Sequence, residues 1–176
     1  MKINAKAKII LDADVLIHFI KGEQTGILNK IFPNDLYLFD VVFKEVFLGS
    51  YKTNVERLIS FGFVKELQLE QTSQDVKKEY YRLTGKRGGN LGKGESIAMA
   101  YCRYNNDVLA SSNLSDTIIY CQENTITYLT TMDFLAEAFR IGILSETDCD
   151  TFIKVVKSKD SKLVNGVDRI REYNTR

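Results

Sequence analysis

The sequence predicts a three-layer α/β fold, with a central and mostly parallel sheet between helices and a helical extension at the carboxyl end. Three observations carry that prediction. Short apolar runs alternate with longer amphipathic ones along most of the chain. Hydrophobic residues make up 44% of 176 residues, enough for the core of one domain of ordinary size. Proline occurs once, at Pro33, so no proline-rich linker divides the chain. The expected division is a main domain over residues 1–144 and an extension over 145–176 packed on it.

In order, KIIL (8–11) reads as a strand, and DVLIHFIKG as a helix that stops at Gly22. TGILNKIF suggests a second helix, ended by the turn signal Pro33-Asn34-Asp35. LYLF (36–39) is a second strand, followed by helical sequence through VVFKEVFLG and NVERLISFG. FVKELQL (63–69) alternates as an edge strand would. A polar helix, SQDVKKEYYRLTG, then leads to a glycine-rich stretch and the helix GESIAMAYCRYNN. Strand DVLAS, helix NLSDTIIYCQEN, strand ITYLT and helix MDFLAEAFRIG follow. Ser145 and Asp148 have capping-box spacing at the start of ETDCDTFIKVVKSK. Near GVDRIREYNTR the chain suits a short terminal helix or frays.

Parallel sheets collect ligands beyond the carboxyl ends of their strands, so the strand-to-helix junctions are the places to search. Asp12 follows the first strand, and Glu45 lies about a turn into the helix after the second. Glu95 opens the helix after the glycine-rich stretch, and Asn113 with Asp116 follows DVLAS. Singly, each suits a helix N-cap, a first-turn carboxylate favoured by the helix dipole, or a solvated glutamate. Their recurrence at one sheet edge points further. Crowded carboxylates repel one another unless a cation neutralises them, and hard oxygen ligands without paired His or Cys suit Mg²⁺ or Mn²⁺. Such ions activate nucleophiles and stabilise leaving oxygens in phosphodiester cleavage.

These segments together resemble a PIN domain, the metal-dependent nuclease fold related to flap endonucleases. The resemblance spans roughly residues 8 to 144. IILDADVLIHF resembles the opening strand with the first catalytic aspartate, at Asp12, and DVVFKEVFLG the helix bearing the second acid, at Glu45. GKGESIAMA resembles the segment with the third, at Glu95, and VLASSNLSD the strand and turn that supply the last. The family implies a divalent-metal site and an endoribonuclease acting on RNA. Many bacterial members are toxins of toxin–antitoxin pairs, which leaves room for an antitoxin protein, or a second copy of the chain, as partner. The implied metal ligands are Asp12, Glu95 and Asp116, with Glu45 and Asn113 completing the site. One departure matters: Asn113 stands where the family places an aspartate after a small hydroxyl residue, and its amide offers a carbonyl oxygen without charge. Asp116, three residues on, shares a helical face with it and is the substitute acid. Asp14 orients the first turn, and Asp133, after the final strand, is a further candidate that reads more readily as a helix cap.

Two other readings are open. LDADVL also resembles the aspartate pair of haloacid-dehalogenase-like phosphatases, with Asp12 as nucleophile, but Leu16 stands where a small residue belongs and Glu45 and Glu95 would have no role. Asn113 also suits a PIN-like module that binds RNA or protein without cutting. A nucleotide-binding loop in GKRGGNLGKGE is excluded: Gly88 and Gly92 are one residue too close, and Lys93 precedes glycine instead of serine or threonine.

The net charge of +1 demands no nucleic-acid or membrane partner, so charge distribution matters more. Lys77, Lys78, Arg82, Lys86, Arg87 and Lys93 lie close together with Glu79 alone opposing them, either a solvated face or a contact for an anion. Lys86, Arg87 and Lys93 are the expected substrate-backbone contacts. Tyr80, Tyr81, Tyr101 and Tyr104 suit either core packing or base stacking. His18, the single histidine, sits in an apolar helix and reads as a packed or partly exposed helix residue. Three cysteines without metal spacing fit reduced thiols, and no apolar stretch reaches the ~20 residues that span a bilayer, so a cytoplasmic protein is expected.

Overall fold

The computed structural model describes residues 3–47, 51–85, 91–163 and 166–173, with only the backbone at residues 45–47, 114 and 116. Its centre is a five-stranded, all-parallel sheet in the order β3-β2-β1-β4-β5. The strands are β1 (Ile9–Leu11), β2 (Leu36–Phe39), β3 (Lys65–Leu67), β4 (Val108–Ala110) and β5 (Tyr128–Leu129). Ile9, Ile10 and Leu11 are completely buried, as are Leu38, Phe39, Leu109 and Ala110. Such continuous apolar runs arise because helices cover both faces of a parallel sheet. At the edge, β3 keeps Lys65 and Glu66 exposed, and only three residues of the FVKELQL run pair.

The helices are α1 (Ala13–Lys21), α2 (Leu28–Ile31), α3 (Asp40–Phe47), α4 (Lys52–Ser60), α5 (Gln74–Thr84), α6 (Lys93–Asn105), α7 (Leu114–Glu123), α8 (Thr131–Arg140) and α9 (Glu146–Ser158). TGILNKIF does not form the single helix its spacing suggests. A 3₁₀ turn over Thr25–Ile27 runs into the single turn of α2, and Phe32 is already extended before Pro33. The residue before a proline is pushed out of the α region, which shortens the helix from its far end. Ser145 and Asp148 form the expected capping box, and Ile170–Glu172 forms a 3₁₀ turn near the carboxyl end.

α6 is the central helix. Gly94 through Cys102 are all buried, and the helix packs on β1, β2 and β4 as well as on α3, α5 and α7. A helix enclosed on every side needs small residues where neighbours approach, and Gly94, Ser96, Ala98 and Ala100 provide them. Glu79 on α5 locks this group. It accepts a two-pronged pair from Arg82, a bond from Arg103 of α6 at 2.7 Å, and the Tyr120 hydroxyl of α7 at 2.7 Å. Arg82 is therefore committed within the protein, and the basic cluster read from sequence is smaller than its residue count. Of the four tyrosines, Tyr80 and Tyr101 are buried, the latter edge-on to Phe39, while Tyr81 and Tyr104 are exposed.

A second group joins α1, α8 and α9. Phe19 of α1 meets Phe134 of α8 and Phe152 of α9, with ring centroids 5.9 and 5.1 Å apart, and Phe134 also meets Phe32. The approach is so close at Gly22 that a β-carbon there would enter the Phe152 ring. Lys21 and Lys159 then clasp each other: Lys21 Nζ donates to the Lys159 carbonyl at 2.7 Å, and Lys159 Nζ to the Lys21 carbonyl at 2.8 Å. Tyr173 donates to Asp133, which also closes the capping box of α8.

Two predictions follow from this packing. Gly22→Ala should lower unfolding stability in urea by about 1–3 kcal/mol, as overpacking does. Gly26→Ala, where a β-carbon meets nothing within 4 Å, should stay within about 0.5 kcal/mol of the parent. For Glu79, the hydrogen-bonded Arg82, with Tyr120 and Arg103, holds the carboxyl down to about 2 from 4.5. A lowered acid stabilises fully above its unfolded value and loses that effect as pH falls toward the folded one. Glu79→Gln should cost about 1–3 kcal/mol at pH 7, a difference that shrinks from pH 4.5 toward pH 2 in urea titrations.

Candidate active site

In this strand order the connections run one way from β1 to β2 and β3, and the other way from β4 to β5. The switch lies between β1 and β4, where an open parallel sheet leaves a crevice. Leu11 is level with Ala110, and the next amide, Asp12 N, donates to the Ala110 carbonyl at 2.8 Å. Ser111 N likewise donates to the Leu129 carbonyl at 2.9 Å. Each ladder thus continues one residue beyond its strand and places a polar residue at the rim.

Asp12 is buried there. One carboxylate oxygen accepts from Ala13 N at 2.8 Å as the N-cap of α1, and the other from the Ser111 hydroxyl at 3.3 Å. The same side chain therefore caps α1 and bridges to the residue that leaves β4. Asp14 joins the same two segments: it accepts from Val15 N at 2.6 Å and from Ser112 N at 2.7 Å. Burial pushes its carboxyl up to about 6, against the lowering effect of hydrogen bonds from Ser112, Val15, Asn113 and Ser111.

Asn113 is the N-cap residue of α7 without a side-chain capping bond. Its Oδ1 accepts from the Ser115 hydroxyl at 2.9 Å, and its carbonyl from the Thr117 hydroxyl at 2.7 Å. Glu95 is buried in the first turn of α6, near enough to Cys121 that its charge helps raise that thiol. Beside it the Ser96 hydroxyl is buried with no hydrogen-bond partner among the described residues. Glu45 lies in α3 and Asp116 in α7, with side chains outside the described set. Lys86 and Arg87 are outside the described residues, and Lys93 is exposed at the start of α6. Asp133 is a cap, tied to Thr130 and Tyr173.

A cleft of about 710 Å³ opens beside this rim. Asp14, Ser112 and Asn113 line one side, and Asp160 through Leu163 form the facing wall. Asp12 and Glu95 are not among its lining residues. The rim also holds a hydroxyl chain that sequence reasoning missed. Ser112 Oγ accepts from Thr131 N at 3.0 Å and shares a bond with Thr131 Oγ1, which in turn meets His18 Nδ1 at 2.8 Å. This chain runs from β4 to β5 and back to α1. Its signal is visible in hindsight: a hydroxyl pair directly follows each apolar run, Ser111-Ser112 after β4 and Thr130-Thr131 after β5. Of the two readings open for His18, packed or partly exposed, the structure shows the buried one, and the residue belongs to the cleft as well as to the core.

Among the described residues no three acidic, histidine or cysteine side chains converge as a metal-binding group. The donors at the rim are carboxylate, amide and hydroxyl oxygens, whose hardness suits Mg²⁺ or Mn²⁺ better than softer metals. No family model matches the chain, and no curated protein matches it.

Burial, with a contribution from the Lys21 ammonium, pushes the His18 imidazole down to about 4. A lowered histidine contributes stability fully above 6.5, its ordinary value, and loses it as pH falls from there toward 4. The chain has one histidine, so its NMR titration is unambiguous. The imidazole signals should move with a midpoint near pH 4; a midpoint near 6.5 would mean the ring is open to water.

Proposed function

We propose that the chain is a Mg²⁺- or Mn²⁺-dependent endoribonuclease of PIN-like type. The observation that carries the reading is Asp12, a buried carboxylate at the β1–β4 switch, bonded to the Ser111 hydroxyl across that junction. Glu95, buried in the first turn of the central helix, supports it. Asp12, Glu95 and Asp116 would hold the cation, with Glu45 and Asn113 beside them. When bound, such a cation lowers the pKa of water and neutralises charge on the phosphodiester. The protein's own part is positional. Ala13 N and Ser111 fix the Asp12 carboxylate, and Asp14 holds the β4–α7 turn against α1. Lys93, with Lys86 and Arg87, would hold the substrate backbone. The three cysteines are free and buried, which fits a reducing compartment such as the cytoplasm. Among the described residues no helix is long and apolar enough to cross a membrane. An antitoxin protein or a second copy of the chain fits as a partner in this reading.

A second reading, an RNA- or protein-binding module without turnover, is favoured by Asn113. It is neutral, and its side-chain oxygen already accepts from Ser115.

Cleavage of several RNAs and of single-stranded DNA, measured with Mg²⁺, Mn²⁺ or chelator, tests the proposal. Asp12→Asn and Glu95→Gln should each lower RNA cleavage by about 100-fold or more, on the scale of removing a key electrostatic group. Circular dichroism should show an intact fold in both. Parent-level cleavage in a folded Asp12→Asn variant overturns the site. Tight RNA binding without turnover in any metal establishes the second reading.

A further inference from the structure

We propose that the cleft is a nucleotide-sized subsite for an RNA strand, and that Lys162, from the segment after α9, binds a phosphate of that strand. The identity of the strand rests on the ribonuclease reading; the assignment of Lys162 comes from the cleft itself.

A volume of about 710 Å³ falls within the range of small-ligand sites. Its lining divides into three chemistries that match the three parts of a nucleotide. Ile17 and Leu163 offer apolar surface, as a base face requires. Ser112, Asn113 and Ser115 bring hydroxyl and amide groups of the kind that hydrogen-bond a ribose. Two cations, Lys21 and Lys162, remain for the phosphate.

Lys21 is already used. Its ammonium donates to the Lys159 carbonyl at 2.7 Å and to the Ser161 hydroxyl at 2.6 Å. Those bonds hold the segment after α9 against the end of α1. Lys162 follows immediately, exposed, and makes no ion pair with any described residue. It is thus a cation on the cleft wall that pairs with no described carboxylate. Asp14 and Asp160 also line the cleft, so a phosphate entering it depends on the Lys162 charge to offset them. The arrangement orients a strand, which a uniformly basic pocket would not.

Binding is measured by fluorescence anisotropy with a labelled single-stranded RNA in chelator, so that metal-supported cleavage does not enter. Lys162→Gln should weaken binding by about two- to fivefold, the range of an exposed charge contact. The slope of log affinity against log salt should become shallower by about 0.7, the loss of one phosphate contact on a single strand. Lys162→Arg should bind like the parent. So should Lys154→Gln, an exposed α9 lysine that is not part of the cleft lining. Equal binding by Lys162→Gln and the parent, an equal loss in Lys154→Gln, or no RNA binding by the parent would each overturn the proposal. Asp12-dependent cleavage together with an unaffected Lys162→Gln leaves the nuclease reading standing and removes this subsite. Lys162-dependent binding without cleavage does the reverse.

Discussion

The pairing of β1 with β4 is the constraint on which the site depends. Because all five strands are parallel, every strand exit lies on one edge of the sheet. Because Leu11 and Ala110 are level, Asp12 and Ser111 leave the sheet side by side. Both strands are buried on both faces, so a shift of one residue in β1 would draw a polar neighbour, Lys8 or Asp12, into the fully buried stretch, which is costly. The position of the Asp12 carboxylate is therefore set by hydrophobic packing remote from it. The hydrogen bonds at the rim refine a placement that the core has already made.

Two polar devices then stiffen what surrounds the rim, each where helices must be held against one another. Glu79 fastens α5, α6 and α7 through one carboxylate, and α6 carries Glu95. On the other side, the phenylalanines of α1, α8 and α9 interlock, and the Lys21–Lys159 clasp fixes the chain beyond α9. One device ties α5, α6 and α7 together, and the other ties α1 to the segment after α9. The hydroxyl chain through Ser112, Thr131 and His18 joins the rim between them, so that α1, the β4 exit and the α8 start are held together.

Much of the fold was legible because parallel strands buried on both faces leave uninterrupted apolar runs. Those runs, such as KIIL and LYLF, located the strands, and Ser145-Asp148 located a helix start. The TGILNKIF segment was less legible because its apolar spacing competes with Pro33, a contest settled locally by sterics. At the site, the junction aspartate Asp12 was readable from its place after a strand. The Ser112–Thr131–His18 chain was not, since it joins residues up to 113 positions apart and depends on which strand exits become neighbours. The same holds for Glu79, read as a lone charge opposing a basic cluster and found to be the partner of two arginines. Sequence gives the residue types at each exit; strand order decides which of them meet.

The clasp has a consequence for the order of events during synthesis. Lys21 and Lys159 are 138 residues apart, so one wall of the cleft is made early and the other near the end. The contact is among the most non-local in the chain, and such contacts form late because loop closure precedes any gain from them. While a ribosome is still extending the chain, the β1 edge exists as sequence but the cleft beside it does not. By this geometry the cleft gains its second wall only after the segment beyond α9 has left the ribosome's exit tunnel.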